Sequence, residues 1–285
     1  MTAGVRRLPW RVAGAGLVAA TFMIAAPVAA AAGADTRAPV ALVAPAPSTL
    51  PSGLMGDAIR LGQRIVSDTQ STVKSYVGNG LTCANCHLDA GRQAYAAPLV
   101  GLTGLFPEYE SRSGTVQSLE ERINDCFLRS MNGRKLPSSG PEMVALLAYI
   151  AWLSQGVPTG IAVVGRGFSD IKAPARPDPA RGKALYEEKC AACHGATGQG
   201  TPGATAGAFV FPPLWGPQSF NDGAGMARTS IAAPFVQTKM PLGSAGTLSD
   251  QDAYDIAAYF TAQPRPKYVP KTKDWSKGER PADAR

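Results

Sequence analysis

The chain has 285 residues, a formal net charge of +7, two histidines and five cysteines. This length suits two domains of ordinary size. No run of lysines and arginines interleaved with aromatic residues occurs, so the charge does not indicate a nucleic-acid partner. The mild basic balance is compatible with attraction of small anions.

Two copies of the pattern C-x-x-C-H dominate the sequence. The pattern is the attachment signature of c-type haem, in which each thiol adds to a vinyl group and the histidine lies beneath the iron. Zinc sites and a Cys–His nucleophile pair would need the same two histidines, and are therefore excluded. We predict two covalently bound haem c groups. They are attached through Cys83, Cys86 and His87 in the first motif and through Cys190, Cys193 and His194 in the second.

Residues 1–34 have the organisation of a secretory signal peptide. Arg6, Arg7 and Arg11 precede an apolar run from Val12 to Ala32, which ends in small residues suited to cleavage. The alternative is an uncleaved membrane anchor, because the run is long enough to span a bilayer. Covalent haem attachment normally takes place outside the cytoplasm. We therefore predict a periplasmic protein with no stable membrane insertion after cleavage.

Helical spacing and capping signals recur in the same order around both motifs. The glycine- and proline-rich residues 195–246 are expected to be mostly loop, and no clear strand is predicted. The predicted helices are Leu54–Thr69, Glu120–Met131 capped by Ser118, Pro141–Gln155, Pro179–Lys189, and a terminal helix that opens at Ser249 and ends at Gln263.

The order of helix, haem motif, long loop and helix occurs twice. It resembles two class I cytochrome c domains in tandem, which is an all-α fold with one covalent haem in each domain. The predicted segments are a signal peptide (1–34), an Ala/Pro-rich flexible linker (35–52), the first domain (53–156), a linker (157–177), the second domain (178–264) and an exposed charged tail (265–285).

The sixth iron ligands cannot be histidines, because both histidines belong to the motifs. For the second haem, Met240 precedes a proline in the late loop where class I cytochromes carry their methionine ligand. Met226 is the competing ligand, and core filling is the alternative role for Met240. The adjacent Lys239 is either a solvated surface lysine or an alternative ligand once deprotonated.

No Met-Pro pair follows the first motif in the corresponding place, where Cys126 stands instead. A thiolate ligand stabilises Fe(III), and nearby arginines favour the thiolate form. A buried inert cysteine and a disulfide between chains are the alternatives for Cys126. Met131 and Met143 are the competing ligands of this iron.

Three stretches together resemble the tetrathionate-forming thiosulfate dehydrogenase family of dihaem cytochromes c: CANCHLDAGR, RINDCFLRSMNG and KMPLG. The resemblance implies a catalytic first haem and an electron-transferring second haem. It also implies a substrate pocket lined by arginines and a serine. The implied iron ligands are His87 and Cys126 for the first haem and His194 with Met240 or Lys239 for the second; the implied pocket residues are Arg112, Arg122 and Ser130.

The resemblance implies an enzyme that joins two thiosulfates into tetrathionate, and it leaves open that the reverse reaction, tetrathionate reduction, is the preferred direction. Two electrons would pass to a soluble acceptor, such as a cytochrome c or a high-potential iron–sulfur protein. One alternative is the related sulfur-oxidation cytochrome that transfers thiosulfate to a carrier protein's cysteine. A dihaem electron carrier without a substrate site is the other alternative, and it predicts an inert Cys126.

Overall fold

In the computed structural model of the chain, residue 1 and residues 38–173, 175–205 and 207–284 are described. Apart from its first residue, the predicted signal peptide (1–34) lies outside these ranges. Within the described ranges, no helix is long and apolar enough to cross a membrane.

Helices dominate the described residues. The first half contains α1 (Gly53–Ser67), α2 (Thr69–Thr72), α3 (Leu88–Gly91), α4 (Leu119–Arg129) and α5 (Pro141–Leu153). The second half contains α6 (Pro179–Lys189), α7 (Ala191–His194), α8 (Thr229–Lys239) and α9 (Asp250–Ala262). Two antiparallel hairpins pair β1 (Glu108–Glu110) with β2 (Thr115–Gln117) and β3 (Thr201–Pro202) with β4 (Phe209–Phe211).

In each half the first long helix packs against the last one, α1 on α5 and α6 on α9. Glycine permits the close approach at both crossings. A Cβ atom at Gly62 would collide with the carbonyl oxygen of Ala145, and one at Gly182 would collide with that of Asp255. The two halves thus repeat the same helix crossing, and in each a glycine allows the close contact.

Two hydrophobic clusters fill the halves, one beside each haem motif. The first is built around Tyr149 and Trp152, and the second around Tyr186, Trp215 and Phe260. Burial of each such side chain contributes about 1.5–3 kcal/mol. The predicted all-α fold of two tandem cytochrome c-like domains is confirmed.

Side-chain caps define the helix starts that the sequence signalled. Ser118 accepts from the Glu121 amide and Glu121 reaches back to the Ser118 amide, which forms a capping box at α4. At α6 the Asp178 side chain accepts from the Ala180 and Arg181 amides, and at α9 the Ser249 side chain accepts from the Asp252 amide. Because caps satisfy the first free amides of a helix, they set its start within a residue or two.

The expectation of a mostly loop region over residues 195–246 was wrong for α8, which lies inside it. Pro234 occupies the interior of this helix, where proline normally breaks the hydrogen-bond pattern. Burial of Ala232 to Val236 in the second hydrophobic cluster outweighs that local cost. The two short hairpins were also not predicted.

Segments expected to be flexible or exposed pack instead against the domains. In the N-terminal linker, Val40 forms a parallel bridge with Val163 of the second linker. Pro45 accepts a hydrogen bond from Arg92. The tail is only partly exposed, since Asp274 and Trp275 make contacts with the first half.

Candidate functional site

Both motif histidines are oriented by a backbone carbonyl. His87 Nδ1 lies 2.6 Å from the Ala97 oxygen, and His194 Nδ1 lies 2.8 Å from the Pro212 oxygen. A donor bond at Nδ1 fixes the tautomer that leaves Nε2 to bind a metal. Burial lowers the pKa of His194, which favours the neutral ring that iron ligation needs.

The motif cysteines form no disulfide bond and remain available for haem attachment. The Cys83 amide donates to the Thr69 hydroxyl at 2.9 Å, and this hydroxyl lies 3.3 Å from the Cys83 sulfur. The first attachment thiol is therefore held by the short helix α2.

A cavity of about 310 Å³ is bordered by the cysteines and histidines of both motifs. A second cavity, of about 510 Å³, borders Cys83, His87 and Cys126 and extends to Leu146 and Ile150 of α5. Thiol pairs, oriented imidazoles and apolar walls are the features that a covalent haem requires. The residues present therefore fit two haem c groups.

Cys126 lies on α4 and faces both cavities together with His87. Arg122, one helical turn earlier, donates from Nη1 to the Cys126 sulfur at 3.4 Å. Burial opposes ionisation of the thiol, but the Arg122 charge and the neighbouring His87 outweigh it and lower the pKa of Cys126 to about 7. The site thus favours a thiolate at neutral pH and above.

The residues that follow Cys126 differ in their positions. Ser130 ends α4 and lines the 310 Å³ cavity with Met131, beside Cys126. Met143 is fully buried in the first hydrophobic cluster and borders neither cavity. Of the two methionines considered for the first iron, only Met131 reaches a cavity wall.

Arg112 lies in the turn between β1 and β2 and is not part of either cavity wall. It donates from Nη1 to the Gly223 carbonyl at 3.2 Å. Its buried Nε has no hydrogen-bond partner among the described residues. Burial, together with the charges of Arg129 and Arg122, lowers the pKa of Arg112. Cys126 therefore lines both cavities, with Arg122 on the wall of the 510 Å³ cavity and Ser130 on that of the 310 Å³ cavity, whereas Arg112 lines neither.

Charged and aromatic tail residues that the sequence did not single out contact this region. Asp274 makes a bidentate ion pair with Arg129, with both distances 2.7 Å. The Arg129 guanidinium lies over the Tyr268 ring at 4.7 Å, and that of Arg112 lies over Trp275 at 5.6 Å. The adjacent Asp274 and Trp275 stand out in a tail rich in lysine and arginine. The sequence alone, however, does not show which residues they contact.

At the second motif, Met240 and Met226 both line the 310 Å³ cavity with His194. Lys239 borders neither cavity, because its Nζ donates to the Ala94 carbonyl of the first half at 2.7 Å. Burial lowers the pKa of Lys239. In this structure, Lys239 therefore connects the two halves at a point next to Met240.

Comparison with known proteins gives matches over both halves. Residues 74–159 match the family described as SoxA/TsdA, cytochrome c domain, and residues 179–262 match cytochrome c. Thiosulfate dehydrogenase of Allochromatium vinosum is 48% identical over 234 residues, which are 81% of this chain and 86% of that protein. The L-cysteine S-thiosulfotransferase subunit SoxA of Rhodovulum sulfidophilum is 31% identical over only 40% of this chain and 38% of its own length.

The solved structure of the thiosulfate dehydrogenase TsdBA from Marichromatium purpuratum superposes with a TM-score of 0.76 at 42% identity. The match covers 79% of this chain and 50% of that longer chain. The haem motifs, the paired domains and the relatives that match over most of their length therefore agree. The chain belongs to the thiosulfate dehydrogenase family of c-type cytochromes and carries two covalent haem c groups.

Proposed function

We propose that this chain oxidises two thiosulfate dianions to tetrathionate. Each thiosulfate loses one electron, a new sulfur–sulfur bond joins the two, and both electrons leave to an external acceptor. The observation that carries this proposal is the pair of Arg122 and Cys126, 3.4 Å apart on the wall of the 510 Å³ cavity, which also borders Cys83 and His87 of the first haem motif. The bound haem groups supply one-electron acceptors.

His87 and Cys126 are the iron ligands of the first haem in this proposal. His194 and Met240 would hold the second haem, and Lys239 would be available to it only without the hydrogen bond that its Nζ donates to the Ala94 carbonyl. Met226 is the remaining candidate at that iron, since it shares the cavity wall with Met240. The segment order, from a signal peptide at 1–34 to two haem domains at 53–156 and 178–264, is part of the proposal.

Arg122 binds substrate oxygens in this proposal. Its guanidinium carries five N–H donors, of which one is used on the Cys126 sulfur, so others can bind the sulfonate oxygens of thiosulfate in pairs. Two dianions repel each other as they approach, and a fixed cation reduces that cost. Ser130 offers a hydroxyl on the wall of the 310 Å³ cavity, which it shares with Cys126. Arg112 adds its charge from behind.

The released electrons pass to a soluble acceptor in the periplasm, such as another cytochrome c or a high-potential iron–sulfur protein. Location outside the cytoplasm is supported by the signal-like residues 1–34 and by the two motifs for covalent haem attachment.

The test is steady-state thiosulfate oxidation by the purified holoprotein with ferricyanide as acceptor and no carrier protein, with tetrathionate measured as product. Cys126→Gly should lose turnover and keep both haems, which a pyridine haemochrome assay counts. Cys190 and Cys193 provide the comparison, because Cys190→Ala/Cys193→Ala should instead lose one haem. Near-normal turnover by Cys126→Gly would contradict the proposal.

The same assay separates the alternatives. Turnover that appears only after a carrier protein with an accessible cysteine is added would favour the transfer of thiosulfate to protein. If both haems are present and no turnover occurs in either condition, the chain is an electron carrier. A thiolate-free spectrum of the oxidised first haem would lead to the same conclusion.

A further inference from the structure

We propose that residues 268–275, here called the C-terminal strap, position Arg112 of the proposed substrate site, with Trp275 acting on Arg112 directly and Asp274 acting through the neighbouring Arg129. This inference rests on the proposed thiosulfate oxidation, and it extends the site to a segment far along the chain. The strap residues are positioning residues, because they act through the two arginines.

Trp275 fixes Arg112 in two ways. Its indole lies under the Arg112 guanidinium at 5.6 Å and under that of Arg228 at 5.7 Å. Its amide donates to the Arg112 carbonyl at 2.7 Å. Trp275 also has a φ of 55°, a conformation that non-glycine residues rarely adopt unless their surroundings impose it. The Arg112 side chain and backbone are therefore both tied to one residue.

Asp274 neutralises the charge of Arg129, which lies beside Arg112. Arg112 and Arg129 both donate to the Gly223 carbonyl, at 3.2 Å and 3.1 Å, so two cations converge on one acceptor. The Asp274 carboxylate neutralises Arg129 through two 2.7 Å hydrogen bonds in a nearly dry setting, with side chains 9% and 7% exposed. Repulsion between the cations falls, and Arg112 can remain beside Arg129.

The strap is fastened where it begins. The buried carboxylate of Asp222 accepts from the Tyr268 amide at 2.8 Å and from Lys271 Nζ at 2.7 Å. Gly223 follows, and a Cβ atom there would lie 2.6 Å from the Tyr268 ring and 3.1 Å from Arg129 Nη1. The absence of a side chain at Gly223 is what lets the strap and the arginines meet.

These contacts give Arg112, Arg122 and Arg129 different roles. Arg129 is paired and buried, so it serves as structure. Arg112 keeps a buried Nε with no hydrogen-bond partner among the described residues, and its guanidinium lies against the Trp275 ring. Arg122 stands on the cavity wall. The strap therefore determines the amount and the location of the positive charge near Arg122 when a dianion binds.

The test measures KM and kcat separately for thiosulfate in holoproteins carrying Trp275→Phe or Trp275→Leu. The stacked ring is lost in Trp275→Leu, so we expect KM to rise about tenfold, and kcat to change less than about twofold. Trp275→Phe keeps a weaker cation–π partner and should lie between wild type and Trp275→Leu. In an Arg112→Gln background, Trp275→Leu should add less than about twofold, because its effect acts through Arg112.

The matched control is Lys273→Ala, an exposed residue of the same strap. A KM for Trp275→Leu within about twofold of this control, with haem spectra unchanged, would overturn the inference. If Trp275→Leu gives no holoprotein, Trp275→Phe decides, and it must raise KM at least about twofold. A wild-type protein that does not oxidise thiosulfate would refute the proposed function itself, and the inference would fall with it.

Discussion

Replacement of Arg122 by Gln is the most direct test of the proposed substrate site. The change removes a guanidinium that lies 3.4 Å from the Cys126 sulfur and faces the 510 Å³ cavity. A hydrogen bond to a charged group contributes about 1.5–3 kcal/mol. Because the Arg122 side chain is exposed and solvent screens its charge, the lower end applies. About 1.5 kcal/mol corresponds to a loss of about tenfold in kcat/KM for thiosulfate.

The assay is the ferricyanide reaction, with Arg122→Lys and Arg64→Gln measured beside Arg122→Gln. Arg122→Lys keeps the charge and loses the paired donors, so it should fall between wild type and Arg122→Gln. Arg64 is an exposed residue of α1 outside both cavity walls, and Arg64→Gln should leave kcat/KM within about twofold of wild type. If Arg122→Gln behaves like Arg64→Gln while both haems are attached, Arg122 does not bind the substrate.

Two further predictions concern stability. Gly62→Ala places a methyl group against the Ala145 carbonyl at the crossing of α1 and α5. Denaturant unfolding of the holoprotein should show a free energy of unfolding that is lower by about 1–3 kcal/mol. A loss below about 0.5 kcal/mol would mean that the two helices are not in close contact. Burial opposes ionisation of Asp222, but hydrogen bonds from Lys271 and the Tyr268 amide hold the pKa of Asp222 below its ordinary value. Its contribution is therefore present above the unfolded-state pKa of about 3.9 and is lost as pH falls through the folded-state pKa. Thermal unfolding of Asp222→Asn should show a deficit against wild type at neutral pH that shrinks below about pH 4, and a deficit independent of pH would contradict the role of the charge.

The sequence predicted those features whose signals are local. Each C-x-x-C-H motif contains both the cysteines that attach a haem and the histidine that binds its iron. Caps such as Ser118 and Asp178 mark helix starts through hydrogen bonds to residues two or three positions away. The close pair of Arg122 and Cys126 follows from helical spacing once α4 is established. For these features a short window of sequence contains both partners of the interaction.

Features that depend on distant partners could not be predicted in this way. Asp274 meets Arg129 across 145 positions, and Lys239 meets the Ala94 carbonyl across the same separation. Helix α8 is a related case. Pro234 disfavours a helix in the local sequence, and burial against the second hydrophobic cluster outweighs that effect. Composition describes the tail as charged and soluble, but it does not show which charges are paired.

The distribution of charge around Cys126 indicates why distant segments are needed at this site. A thiolate and a bound dianion both require nearby cations, yet arginines that converge repel one another. Burial lowers the pKa of Arg112, and the charges of Arg129 and Arg122 lower it further. Local sequence on α4 can supply Arg122 and Arg129, but both carry the same charge. The compensating carboxylate of Asp274 comes from the end of the chain, and it allows one arginine to be neutralised without removing positive charge from the cavity wall. In the proposed substrate site, anion binding would thus depend on an acidic residue that does not itself contact the anion.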